Sequence, residues 1–130
     1  MFSLSQPKIL IIEDHPATLD AMKMIFEFEG YITMNLSSTM DLHAKVAAFQ
    51  PDVIVIDILL GMTDGRAICT ELKLSVHGSI PILLMSSRNG IHDSPYYKTH
   101  WDDYIEKPFD MEVIIQRVRM LLSKKAQQNQ

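Results

Sequence analysis

Five residues of this chain have types and positions suited to chemistry. Glu13 and Asp14 close the apolar run KILII, and Asp57 closes VIVI. Ser86 follows PILLM, and Lys107 follows DYIE. Carboxylates gathered at one place repel each other, which raises their pKa values and weakens the fold unless a positive group joins them. Lys107 is one such group. A hard divalent cation is another, because clustered carboxylate oxygens are its preferred ligands. Three carboxylates and one lysine sum to −2, a charge that one Mg²⁺ would neutralise. The Ser86 hydroxyl could donate to an anion held there. A metal, a lysine, a hydroxyl and a central carboxylate together suit phosphoryl transfer, with the carboxylate as nucleophile.

For that chemistry the fold must bring the ends of separate runs together. Ile9–Ile12, Val53–Ile56 and Ile80–Met85 are rich in Ile, Val and Leu and do not alternate with polar residues. This pattern predicts strands covered on both faces, as in a parallel sheet. Tyr31–Asn35 and Tyr104–Glu106 are weaker strand candidates. Helical patterns lie between them. Pro16 suits the first turn of a helix to about Phe28, with Leu19, Met22, Ile25 and Phe26 facing inward and Gly30 as its C-terminal cap. Ser38 with Asp41 resembles a capping box for a helix to about Phe49. Ile68, Leu72 and Val76 mark a third helix after Asp64-Gly65. Asp110 can cap the last helix, whose inner face is Met111, Ile114, Ile115, Val118, Leu121 and Leu122.

The alternation predicts an α/β fold with helices on both faces of the sheet. Right-handed crossovers leave a doubly wound, flavodoxin-like five-stranded parallel sheet of order 2-1-3-4-5. Its ligand crevice lies at the carboxyl ends of the first and third strands, where Glu13-Asp14 and Asp57 fall. The expected organisation is an N-terminal extension over 1–7, one domain over 8–123 and a polar tail over 124–130.

The bulk numbers agree with one globular domain. The chain has 130 residues, 47% of them hydrophobic, and a net charge of −4. That charge argues against a large nucleic-acid surface. Cys69 is the only cysteine, which excludes an intramolecular disulfide and a thiolate cluster. MFSLSQP is too short and polar for a signal peptide, and no apolar run is long enough to span a bilayer. The expected location is the cytoplasm, with no membrane contact.

On these residues the chain resembles a receiver domain of a two-component response regulator, over about residues 8 to 122. The family's acidic pair matches Glu13-Asp14, and its phosphoacceptor matches Asp57 within DILLGMTDG. Its Ser/Thr matches Ser86 in PILLMSS, and its Lys-Pro matches Lys107-Pro108 in DDYIEKPF. The resemblance implies that Asp57 accepts phosphate from a sensor histidine kinase, a phosphotransfer protein or a small phosphodonor. It implies Mg²⁺ bound by Asp14, by Glu13 through water, by Asp57 and by the Leu59 backbone carbonyl. It also implies that Ser86 and the aromatic Tyr104 move as a switch, that Lys107 pairs with the phosphoryl oxygens and that Lys107-Pro108 is cis. The output would be an unknown downstream protein or output domain, with a homodimer left open. The only chemistry expected is self-phosphorylation and self-dephosphorylation.

The chain departs from the family in two places. Leu60-Gly61 stands where Met-Pro is common, although Asp64-Gly65 is kept. Arg88 to Tyr104 lacks the usual Ala/Leu-rich fourth helix, so a short or irregular helix is expected, capped by Asp93 or Ser94 before Pro95. Leu59 and Arg88 flank the expected path of the attacking water, and an apolar Leu59 would slow loss of the phosphoryl group. Two rival readings share part of the pattern. One is a degenerate receiver serving as a phosphorylation-independent interaction module. The other is a phosphatase of the haloacid-dehalogenase type, which usually carries Asp-x-Asp where this chain has Glu13-Asp14-His15. A flavin carrier shares the topology, but two acids in the first loop would repel its phosphate.

Overall fold

Ile, Val and Leu fill three runs that emerge as fully buried strands. In the computed structural model, residues 6–87 and 100–128 are described, without the side chains of Ser87 and Gln128. The elements are β1 (Lys8–Ile12), α1 (Pro16–Phe28), β2 (Ile32–Leu36), α2 (Leu42–Phe49), β3 (Val53–Asp57), β4 (Leu59–Leu60), β5 (Thr63–Asp64), α3 (Gly65–Lys73), β6 (Ile82–Ser87), β7 (Asp103–Lys107) and α4 (Met111–Gln128). Five parallel strands form one sheet of order β2-β1-β3-β6-β7. With the two-residue strands set aside, this is the expected 2-1-3-4-5. The expected helix near Pro95, and Arg88, lie outside the described residues.

Successive side chains of a strand face opposite sides, and each side has its own helical layer. Ile9, Ile11, Val53, Val55, Leu83, Met85 and Ile105 pack with Leu19, Met22 and Phe26 of α1 and Ile114, Val118 and Leu121 of α4. Leu10, Ile12, Ile54, Ile56, Ile82 and Leu84 pack with Leu42 and Val46 of α2 and Ile68, Cys69 and Leu72 of α3. Full burial of a side chain such as Phe26 contributes about 2–3 kcal/mol. The half-buried Trp101 packs against the α2/α3 core, and His100 Nδ1 lies 2.7 Å from Thr70 Oγ1 on α3.

Helix ends follow local chemistry. His15 Nδ1 accepts from the Thr18 amide at 3.3 Å, Pro16 opens α1, and Gly30 follows it with φ +93°. The capping box at Ser38 does not form. α2 begins four residues later, after Asp41 in a left-handed conformation of φ 58°, and the Ser38 hydroxyl meets the Met40 amide instead. α3 ends at Lys73, so Val76 lies beyond it and is exposed. Lys73 Nζ, at the last residue of that helix, bonds the Ile80 carbonyl and, at 2.6 Å, Asp102, which also takes the Ile82 amide. Asp110 offers its carbonyl to Val113 and Ile114 at the start of α4. α4 runs through Gln128, past the expected start of the tail, and Lys125 on it reaches Asp52 at 3.3 Å.

Candidate functional site

Parallel registers bring the strand ends together. Ile12 of β1 pairs with Ile56 of β3, Asp57 with Met85 of β6, and Ser86 and Ser87 with Glu106 and Lys107 of β7. Glu13, Asp57, Ser86 and Lys107 therefore stand along one edge of the sheet. The alternation that sorts the core sorts these residues too. It places Asp57 and Lys107 on the α1/α4 side and Ser86 on the α2/α3 side, and Glu13, next after β1, continues on the α1/α4 side.

Contacts agree with that division. Lys107 Nζ lies 2.6 Å from Asp57 Oδ2 and 3.2 Å from Glu13 Oε1. Glu13 has no accessible surface and Asp57 retains 6%. The second Asp57 oxygen accepts from the Leu59 amide at 3.0 Å. Asp14 is exposed and points elsewhere, its Oδ2 taking the Gly61 amide at 2.8 Å. The three carboxylates thus do not converge as the sequence suggests. Two of them share the lysine and the third is tied to the β4–β5 turn. Among the described residues no three His, Cys, Asp or Glu side chains are grouped to hold a metal as they stand.

Charge within the group is unbalanced. Burial and the neighbouring Asp57 push the Glu13 carboxyl up to about 7, although Lys107 pulls the other way. Burial pulls the Lys107 ammonium down, but the Asp57 hydrogen bond and the two acidic charges outweigh it and raise it above its ordinary 10.5. Glu13 Oε2 and Ser86 Oγ are buried and have no hydrogen-bond partner among the described residues. A buried carboxylate oxygen with nothing to bond, beside a second carboxylate, fits a hard cation. An unsatisfied hydroxyl at the end of β6 fits an incoming anion.

The segment after Asp57 folds into an unexpected element. β4 and β5 form an antiparallel hairpin, with Leu60 opposite Thr63 and Gly61-Met62 as its two-residue turn. Asp64 then caps α3 through the Arg66 amide at 2.8 Å. Burial raises the Asp64 carboxyl, but hydrogen bonds and charge from Arg66 outweigh this and hold it below its usual value. Leu59 and Met62 are exposed on the hairpin. A cavity of about 240 Å³ opens beside it, between Ile58, Leu59, Asp64 and Arg66. A larger hollow of about 500 Å³, lined by Val46, Pro51, Asp52 and Lys125, lies at the amino ends of the strands, away from Glu13 and Asp57. Tyr104 on β7 is 38% exposed, and Lys107-Pro108 is cis as expected. Cys69 is buried among apolar side chains, and burial pushes its thiol up to about 12.

Sequence comparison agrees with this arrangement. Residues 9–119 match the model of the response regulator receiver domain. The chain belongs to that family. Receiver domains are signalling domains of two-component systems, and this one is accordingly a phosphoacceptor signalling domain. It is 35% identical over 118 residues to the DNA-binding dual master transcriptional regulator RpaA of Synechocystis sp., covering 89% of this chain and 49% of that protein. It is 28% identical to the response regulator MprA of Mycobacterium ulcerans, covering 88% of this chain and 50% of that protein. The receiver thus spans about half the length of these curated relatives. Among solved structures, the signal receiver domain of a histidine kinase from Syntrophus aciditrophicus superposes with a TM-score of 0.77 at 31% identity, covering 91% of each chain. A CheY-like receiver domain protein from Methanospirillum hungatei JF-1 shares the fold, with a TM-score of 0.86 at 22% identity over 95% of this chain and 99% of that one. No helix among the receiver's described residues is long and apolar enough to cross a membrane.

Proposed function

We propose that Asp57 is the phosphoacceptor of a cytoplasmic phosphorelay and that its aspartyl phosphate changes the affinity of this domain for a downstream protein or output domain. The observation that carries the reading is the Lys107 ammonium 2.6 Å from Asp57 Oδ2, beside the buried Glu13. The donor is a sensor histidine kinase, a phosphotransfer protein or a small phosphodonor. An Asp57 carboxylate oxygen forms the new bond to phosphorus while the bond from phosphorus to the donor breaks, and its electron pair leaves with the donor. Lys107, already on Asp57, follows the charge onto the phosphoryl oxygens. The buried Ser86 hydroxyl donates to the same group, and Tyr104 on the neighbouring strand follows Ser86. Mg²⁺ held by Glu13, Asp14, Asp57 and the Leu59 carbonyl would supply the remaining positive charge. Conformations with these contacts gain population, and the partner reads that population.

The test is intact mass after incubation with Mg²⁺ and acetyl phosphate, with Asp57→Asn in parallel. One added phosphoryl group, absent from the variant and without Mg²⁺, is the expected result. No adduct from acetyl phosphate or from a phosphorylated histidine donor, together with no Mg²⁺ binding, would favour an interaction module that works without phosphorylation.

A further inference from the structure

The β4–β5 hairpin is fixed at its base and reaches Asp14 with its tip. At the base, the Leu59 amide bonds Asp57 Oδ1 at 3.0 Å and the Gly65 amide bonds the Ile58 carbonyl at 2.7 Å. At the tip, Gly61 holds φ +58° at the first position of the turn, a conformation that glycine adopts without strain. That conformation aims its N–H at Asp14 Oδ2, 2.8 Å away. A proline at position 61 would have no N–H to offer. Asp14 is exposed on this bond, and among the described residues it is not grouped with Glu13 and Asp57 to hold a metal as they stand.

We propose that the Gly61 amide is a latch on Asp14. Asp14 must leave Gly61 before it can join Glu13 and Asp57 around a divalent cation, and its departure frees the tip of the hairpin. The inference rests on the cation site assigned above. Two consequences follow from the exchange of one bond for another. The latch weakens cation binding by about the worth of one hydrogen bond, or roughly 3- to 10-fold in affinity. It also reports occupancy to the surface, because the freed tip carries the exposed Met62.

The experiment is a Mg²⁺ titration of the ¹⁵N-labelled chain. The Gly61 amide is followed beside those of Glu13, Ile58 and Leu59, with Gly61→Pro as the matching variant. The expected result is an upfield move of the Gly61 proton over the same Mg²⁺ range that shifts the other three. Gly61→Pro is expected to bind Mg²⁺ about 3- to 10-fold more tightly. Saturation of the other amides with Gly61 unmoved would overturn the latch and leave the cation site standing. Unchanged or weaker binding by a folded Gly61→Pro would also overturn it. If proline at φ +58° prevents folding, the titration of the natural chain decides alone. No response at any of the four amides would end the cation site and the latch with it.

Discussion

Lys107 Nζ sits 2.6 Å from Asp57 and 3.2 Å from Glu13, so one ammonium serves two buried carboxylates. Removing one partner of a buried ionic group leaves the other charges uncompensated, at a cost of about 3 kcal/mol or more. Lys107→Met is expected to lower stability by about 2–3 kcal/mol at pH 8, somewhat less than the fully buried case because the lysine retains 28% exposure. The loss should shrink at pH 5, where Glu13 carries a proton. Urea unfolding at the two pH values checks this, and an equal loss at both would count against the shared-lysine picture.

Glu13 sets a pH dependence of unusual sign for an acid. Its pKa rises from 4.5 unfolded to about 7 folded. The folded state therefore holds more protons between those values, and stability falls as pH rises through that window. The fall attributable to this residue is up to about 3 kcal/mol. Glu13→Gln should lose that slope and be more stable than the natural chain at pH 8 without divalent cations. Mg²⁺ should raise the melting temperature of the natural chain more at pH 8 than at pH 5. Parallel stability curves for the two proteins would sink the assignment.

Gly65 is a packing requirement at the acceptor. A Cβ there would meet the Asp57 carbonyl oxygen and lie 2.9 Å from both Asp57 C and Ile58 Cα. Backbone atoms cannot swing aside as a side chain can. Gly65→Ala is expected to cost about 2 kcal/mol, within the usual range for overpacking. It should also slow phosphoryl uptake by displacing Asp57. Chemical denaturation and intact-mass time courses measure the two effects.

Ser86 carries a buried hydroxyl without a partner among the described residues. Ser86→Ala should leave stability unchanged or raise it by up to about 1 kcal/mol, because a desolvated polar group is removed. The same change should shorten or abolish the conformational response to the phosphoryl group, read as the spread of amide shift changes on phosphorylation. A clear loss of stability would point to a bond that this serine makes in the resting state.

Leu59 is 61% exposed beside the acceptor and offers an incoming water nothing to bond. Leu59→Asn is expected to shorten the lifetime of the aspartyl phosphate several-fold, as followed by intact mass after donor removal. An unchanged lifetime would show that the water approaches by another route.

Much of this molecule was legible because its signals are local. Unbroken runs of Ile, Val and Leu mark strands with no wet face, and acids or a lysine at their ends mark the crevice. Spacing of three and four placed α1 and α4. What escaped notice depends on distant partners. Ser38 has the residue type for a cap, yet the chain turns again at Asp41 before any helix starts. Val76 continues a helical period past Lys73, where the helix has already ended and the lysine bonds the distant Ile80 carbonyl. The hairpin at Leu59–Asp64 has only two residues in each strand, too few for a periodic signal, and its tip is held by Asp14 from 47 residues away.

Among the described residues the two halves of the core share no side chain, since β1, β3 and β6 each divide their residues between them. The sheet acts as an insulating wall between two separately repackable compartments. Substitutions on opposite sides should add without coupling. Away from Gly65, which packs on the Asp57 backbone, the α2/α3 compartment can therefore drift in shape while Glu13, Asp57 and Lys107 keep their alignment beneath α1 and α4. A receiver built in this way can repack the far part of one layer without moving the Glu13, Asp57 and Lys107 group on the other.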